Sequence, residues 1–362
     1  MKKYIIIAAA ACMSLAACNK TLESSSAPKG ENAKVTITFA NTATKAEIQT
    51  ADEAAVKSIQ AFVLCAGSVD AYANATTTEI AAKEMTVSCT QGTRDIWVVV
   101  NAPSLAEVTT LAGLKAAISN LTADNAAAKF VMVGKKEGEN ITATYATSIA
   151  VDRIASRVRL FQVKRDMSNE ALKTVDFEIT RVYLTCVNDN ACYDVFTPTW
   201  PETINWLNAR FSNGGAISTN NAFVYNKLAT SAILANGEIY GTLYGDATTV
   251  ATHTFYAYPN QYSVREKAEG ESYDQTKLVV ECKIDGNFYT YPIPLGAISY
   301  NKAYDVKLLT ITRLGNPSDG DDDVEGPEDD IISGATATFT VTVNDWTQVL
   351  TFGGVTEGEI TI

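Results

Sequence analysis

The segment Lys34 to Ala40, KVTITFA, alternates strictly, with Val35, Ile37 and Phe39 on one side and threonines on the other. A period of two belongs to a half-buried β-strand, whose successive side chains point to opposite faces. Short strand-like runs recur along most of the chain, at 56–64, 84–89, 130–133, 141–149, 157–163, 175–186, 253–258, 277–284, 288–293 and 303–312. Turn residues such as Asn236-Gly237 and Gly245-Asp246 separate such runs. Residues 95–100, DIWVVV, form one unbroken apolar run, as expected of a central strand covered on both faces. Many short strands joined by turns predict a mainly β protein of sandwich architecture. One helix stands out against this pattern. Ser104 to Glu107 fits a capping box, and Leu105, Val108, Leu111, Leu114, Ile118 and Leu121 recur every three or four residues. The spacing predicts a helix over 104–121 with its apolar stripe against a sheet.

Length and charge narrow the function. A chain of 362 residues holds about two domains, each large enough for a core of its own. Lys and Arg number 29 against 41 Asp and Glu, a net charge of -12. That balance argues against a nucleic-acid partner, which needs a basic face. The single histidine, His253, excludes a histidine-cluster metal site and leaves little for histidine acid–base chemistry. There is no G-x-S-x-G, P-loop, H-E-x-x-H or C-x-x-C. The sequence therefore points away from an enzyme and names no catalytic residue, metal or cofactor.

The chain opens with an export signal. Met1, Lys2 and Lys3 precede an apolar run from Tyr4 to Ala17, about 14 residues, too short for the roughly 20 that span a bilayer. It ends in Leu15-Ala16-Ala17-Cys18, which resembles a bacterial lipobox with Cys18 as the lipidated residue. Each buried CH₂ of an acyl chain contributes about 0.8 kcal/mol, so two or three chains anchor a domain firmly. Asn19 after the cysteine resembles an outer-membrane sorting signal, and Thr21 to Lys29 reads as a tether. Beyond Cys12 and Cys18 the cysteines are 65, 89, 186, 192 and 282, an odd set that forms no disulfide framework. A turn-rich stretch between Cys186 and Cys192 leaves open a hairpin-spanning bridge or two buried thiols.

The far end has its own oddity. Residues 316–330, NPSDGDDDVEGPEDD, suggest a solvated, self-repelling acidic spacer, since adjacent aspartates do not match a calcium loop. Strand-like runs then resume: Ala337, Phe339, Val341 and Val343 alternate with threonines, followed by 347–352 and a closing Ile360-Thr361-Ile362. A strand pair beyond a linker lacks a core of its own. If the chain were cut after the first strand, losing Val35, Ile37 and Phe39 would open an apolar groove of order 6 kcal/mol. The neighbouring strands would also lose their ladder partners. Such a groove accepts an alternating strand from another molecule, with candidate donors Phe339, Val341, Val343, Val349, Leu350, Phe352, Ile360 and Ile362. Donor and acceptor surfaces differ, so the contact is head-to-tail and builds an open filament.

In these residues the chain resembles the major fimbrial subunits (fimbrillins, FimA-like type V pilins) of Bacteroidales. The resemblance rests on the lipobox at Cys18, the leader strand ending at Lys45-Ala46, and 55–59 AVKSI. It continues through 92–102 GTRDIWVVVNA, 105–108 LAEV, 154–158 IASRV, 301–306 NKAYDV and 341–346 VTVNDW. It implies two transthyretin-like β-sandwich domains with one or two short helices, followed by C-terminal donor strands. On that scheme 1–17 is the signal peptide, 18–45 the lipidated leader, 46–150 and 151–315 the two domains, 316–333 the linker and 334–362 the donor strands. It further implies an outer-membrane lipoprotein precursor that becomes a surface pilus supporting adhesion and biofilm formation. The implied partners are other copies of itself, tip and anchor pilus subunits, and a trypsin-like processing protease. The family's cleavage follows arginine, whereas the candidate here is Lys45 and the first arginine is Arg94. Either the protease accepts lysine or this subunit is not processed at this position. Residues 1–45 carry six lysines and two acids, so the chain from Ala46 on holds 23 basic and 39 acidic residues, net -16. The competing readings are a tip or anchor subunit, or a monomeric lipoprotein binding glycan through Trp200, Trp206, Tyr240 and Tyr244.

Overall fold

The computed structural model describes residues 30–38, 53, 55–82, 84–126, 129–197, 199–209, 215–245, 249–264, 266–268, 271–324, 328–346 and 350–351. Cys18, Phe39, Lys45, Ala46, Val349, Phe352, Ile360 and Ile362 lie outside the described residues.

The first stretch of chain contains β1 (Asn32–Thr38), β2 (Ile59–Cys65), β3 (Ser68–Asn74), α1 (Thr77–Ala82), β4 (Glu84–Thr90) and β5 (Gly92–Val100). It continues with α2 (Leu111–Ala116), β6 (Ile118–Asn120), α3 (Leu121–Asp124), β7 (Met132–Ile141), β8 (Thr144–Thr147) and β9 (Ala150–Arg153). The second stretch holds β10 (Ser156–Arg165), α4 (Glu170–Lys173), β11 (Phe177–Thr185), β12 (Val187–Asn188), β13 (Asn190–Cys192), β14 (Trp206–Leu207), β15 (Tyr225–Ile233) and β16 (Ile239–Gly241). After these come β17 (His253–Ala257), β18 (Glu266–Ala268), β19 (Glu271–Tyr273), β20 (Lys277–Ile284), β21 (Asn287–Pro294), β22 (Lys302–Ile311) and β23 (Asn316–Ser318). The last two are β24 (Ala337–Asp345) and β25 (Leu350–Thr351).

A six-stranded sheet, ordered β25-β9-β7-β5-β2-β3, lies at the centre of the first stretch. Its two faces follow the period of two. Ile96, Val98 and Val100 of β5 join Ala61 and Val63 of β2 in a core shared with the three-stranded sheet β4-β1-β8. Trp97 and Val99 point the other way, with Phe62 and Leu64, into a larger core. Both faces of β5 are therefore covered, as its unbroken apolar run predicts. That larger core is built mainly by two five-stranded sheets, β16-β10-β22-β24 with β17 also on β10, and β15-β11-β20-β21-β23. Asp285 and Gly286, with φ of 48° and 80°, close β20 onto β21 in a two-residue hairpin, where the positive φ suits Gly.

Three expectations are corrected. The described residues contain four short helices rather than one or two. The helix read over 104–121 is broken into α2 and α3 with β6 between them. Thr110 forms a bridge to Ser68, and Leu111 N–H donates to Gly67 O, so 109–111 is spent on the turn between β2 and β3. The helix starts late, with the Thr110 hydroxyl accepting from Gly113 N–H at 3.0 Å, and stops when Ile118 to Asn120 pair with β13. Leu114 and Leu121 are buried, but Ile118 is 48% exposed, so no single stripe survives. The acidic stretch is not a solvated spacer throughout. Asn316 to Ser318 pair with β21, Val324, Glu328 and Asp329 are buried, and Asp322 pairs with Arg181 at 3.0 Å. The open question of Cys186 and Cys192 resolves to two buried free thiols.

Candidate functional site: a wedged first strand and a docked tail

β1 runs between β4 and β8. Against β4 it is antiparallel, from Asn32 opposite Thr90 to Thr38 opposite Glu84. Against β8 it is parallel, from Lys34 opposite Thr144 to Ile37 opposite Thr147. β4 and β8 do not pair with each other, so β1 alone joins them into a sheet. Val35 and Ile37 are fully buried and Ala33 nearly so, facing Val63, Met85, Val87, Val98 and Ile149 in one core. Complete burial of a side chain such as Val or Ile is worth about 1.5–3 kcal/mol. At its N-terminal end β1 borders an open cavity of about 580 Å³ lined by Asn32 to Lys34, Asp70, Ser88, Cys89, Thr90 and Ala143. Asp70 beside it accepts from Thr90 N–H and from Arg94 Nε. These hydrogen bonds hold the Asp70 carboxyl below its ordinary range, although burial opposes them.

The tail sits on two sheet edges. β24 pairs antiparallel with β22, Val341 opposite Val306 and Phe339 opposite Leu309, and its outer edge has no strand among the described residues. Phe339 and Val341 pack partly against the large core, whereas Val343 is 52% exposed. The ladder is cross-linked: Arg159 grips Asp305 through two hydrogen bonds of 2.6 and 2.7 Å, and Asn344 Nδ2 donates to Asp305 at 3.3 Å. Farther on, Leu350 and Thr351 pair with Val151 and Ala150 at the edge of the six-stranded sheet. Trp346, between β24 and β25, is fully buried. The structure thus places Val35 and Ile37 in the core, and Phe339, Val341, Val343 and Leu350 on edge strands held by one neighbour each.

Sequence reasoning missed the buried cluster around Trp346. Arg153 lies over its ring at 4.1 Å and Arg157 at 5.1 Å; Tyr256 stacks on it at 5.8 Å and Phe130 meets it edge-on at 5.6 Å. Burial pushes the Arg153 guanidinium down to about 9, so it stays protonated at neutral pH. The only signal in the sequence was a set of arginines inside otherwise apolar strands.

Other chemistry-bearing groups have ordinary partners. Tyr240 contacts His253 Nε2 at 3.1 Å, and burial pulls the imidazole down to about 4. Tyr244 packs edge-on against Phe161, and Trp206 lies tilted beside Tyr262. Cys186, Asp274 and Asp329 converge, but the ammonium of Lys277 already sits among them, 2.5 Å from Asp274 and 3.3 Å from Asp329. No helix among the described residues is long and apolar enough to cross a membrane.

Comparison with known proteins agrees with this architecture. Residues 33–181 match the family model described as major fimbrial subunit protein (FimA). No curated protein matches the chain. A candidate cell adhesion protein from Bacteroides eggerthii superposes with a TM-score of 0.60 at 17% identity, covering 88% of this chain and 97% of that one. A fimbrilin (FimA) from Porphyromonas gingivalis gives 0.56 at 15% identity, covering 87% and 97%. A candidate cell adhesion protein from Parabacteroides distasonis gives 0.51 at 14%, covering 88% and 97%. Residues 33–181 are therefore similar to the major fimbrial subunit (FimA) family, and the chain has a mainly β fold like that of the fimbrilins.

Proposed function

We propose that this chain is a structural subunit of a surface pilus that polymerises by exchanging β1 for the tail of a neighbouring copy. The observation that carries the reading is the position of β1, wedged between two strands that pair with no other strand in common among the described residues. Its removal exposes the inner edges of β4 and β8 together with the apolar floor beneath Val35 and Ile37. An alternating strand restores both, its backbone filling the ladders and its apolar side chains the floor. The docked tail carries such a pattern at Phe339, Val341 and Val343, and again from Leu350 onward. On this reading the chain is exported as a lipoprotein through Cys18, and a trypsin-like protease cuts between Lys45 and Ala46. Two transthyretin-like sandwich domains then form the body of a stalk unit that contacts tip and anchor subunits at the filament ends.

The test is to purify the chain with and without residues 1–45 and run it on gels without boiling. Ladders are expected only from the truncated form, and deleting 347–362 from that form should abolish them. A truncated chain that stays a single monodisperse species would defeat the proposal.

A further inference from the structure

The seat of Trp346 is held together by a residue from the other end of the chain. Glu53 is 2% exposed and lies eight positions beyond Lys45. Its carboxylate accepts from Arg157 Nη1 at 2.8 Å and from the Tyr256 hydroxyl at 2.7 Å. Its backbone carbonyl accepts from Arg153 Nε at 3.3 Å and Nη2 at 3.1 Å. Three of the four walls around the indole, Arg153, Arg157 and Tyr256, are therefore hydrogen-bonded to one residue. The fourth, Phe130, is tied to the same segment: Asn101 Nδ2 donates both to Phe130 O at 2.9 Å and to Ala55 O at 2.8 Å.

Trp346 Nε1 is buried without a hydrogen-bond acceptor among the described residues. The ring is retained by stacking and by two guanidinium faces, both hydrogen-bonded to Glu53.

We propose that Glu53 is a positioning residue for the tail, through which the N-terminal segment governs whether β24 stays zipped to its own β22 or is freed for a second copy. In the uncut chain the 14 residues between Thr38 and Glu53 tie the cluster to β1. A cut among them removes that tie. Glu53 is then held by its own hydrogen bonds and by its short link to Ala55, whose carbonyl accepts from Asn101 Nδ2, and when it leaves, the seat loses the shape that grips Trp346. The inference rests on the strand-donation reading for its biological sense.

The test uses amide hydrogen exchange on the monomeric full-length chain. Glu53→Gln should raise exchange across 337–345 about tenfold or more, the range expected for losing a charge-assisted hydrogen bond, while β2 and β5 stay protected. Tyr256→Phe keeps the ring and deletes only the hydroxyl, so it should show a smaller rise in the same amides. In a Trp346→Phe background Glu53→Gln should add little, because the grip it supports is already weakened. Unchanged β24 exchange in both Glu53→Gln and Tyr256→Phe, or fully additive effects of the Glu53 and Trp346 changes, would overturn the proposal. Ladder formation is scored separately. Ladders from a chain whose β24 ignores Glu53 would sink the seat and spare strand donation; a Glu53-dependent β24 without ladders would do the reverse.

Discussion

Replacing Ile37 with alanine should detach β1 locally while leaving most of the molecule intact. Ile37 is fully buried, opposite Met85 on one side and Thr147 on the other. Truncating a buried Ile to Ala costs about 2–5 kcal/mol, depending on how far the site collapses. The lower figure suits a strand in a small sheet, and about 2 kcal/mol corresponds to a factor of about 30 in an opening equilibrium. If β1 leaves as a unit, its loss unpairs β4 and β8 together, since no other strand among the described residues joins them. Exchange at amides in 32–38, 84–90 and 144–147 should then rise about 30-fold in Ile37→Ala, with β10, β20 and β22 unchanged. Thr36→Ala, on the outward face of the same strand, is the control and should move these amides by less than about threefold. The assay is residue-resolved hydrogen exchange, because a chain of several sheets need not unfold in two states. A uniform rise over the whole chain would refute the reasoning. It would mean that β1 belongs to one cooperative unit with everything else and is not a separable element.

Three further outcomes follow from the histidine and the cysteines. The His253 imidazole, pulled down to about 4 by burial, is neutral in the folded chain where the unfolded chain has already begun to bind a proton. Stability should therefore be full above about pH 6.5 and fall as the pH drops toward 4, by up to about 3 kcal/mol. Comparing urea midpoints at pH 7 and 4.5 for the wild type and His253→Phe should show the smaller loss in the variant; equal losses would contradict the assignment. Cys65, Cys89, Cys186, Cys192 and Cys282 are free thiols, so the unreduced chain from residue 46 on should titrate five thiols in denaturant. A count of three would reveal a bridge. Burial raises the Cys282 thiol well above its ordinary value, so it should resist alkylation until the chain unfolds.

The strands were legible where one face met a core and the other met water, or where both faces were covered. β1, β5, β20 and β22 fall in these classes, and their bounds lie close to those read from periodicity. β15 was missed because its residues, YNKLATSAI, are largely exposed and carry no alternation worth reading. The false helix over 104–121 shows the opposite failure. Its leucines do face the core, with Leu105, Val108 and Leu111 packed against it and Leu114 and Leu121 buried within it. They reach it from a turn, a six-residue helix and a four-residue helix in succession. Tertiary pairing with the β2–β3 turn and with β13 outweighed a modest helical propensity already lowered by Thr109, Thr110 and Gly113.

The acidic stretch and the Trp346 seat were illegible for a shared reason: their partners lie far away in sequence. Asp329 is buried because Lys277, 52 positions earlier, meets it, and Asp322 is fixed by Arg181 across 141 positions. A run of like charges extends by self-repulsion only when no opposite charge is waiting. Here two buried cations await it, so the chain between β22 and β24 is drawn onto the sheet rather than held off it. The consequence bears on the proposed exchange. A tail that must reach a neighbouring copy starts from Ala337, and the segment before it is anchored at Asn316 to Ser318, Asp322 and Asp329. The mobile part of a donor is then the short arm beyond Asp329, not the whole acidic stretch. Neutralising Lys277 would loosen the last of these anchors and lengthen that arm, whereas neutralising Arg181 alone would not, because Asp329 stays held by Lys277.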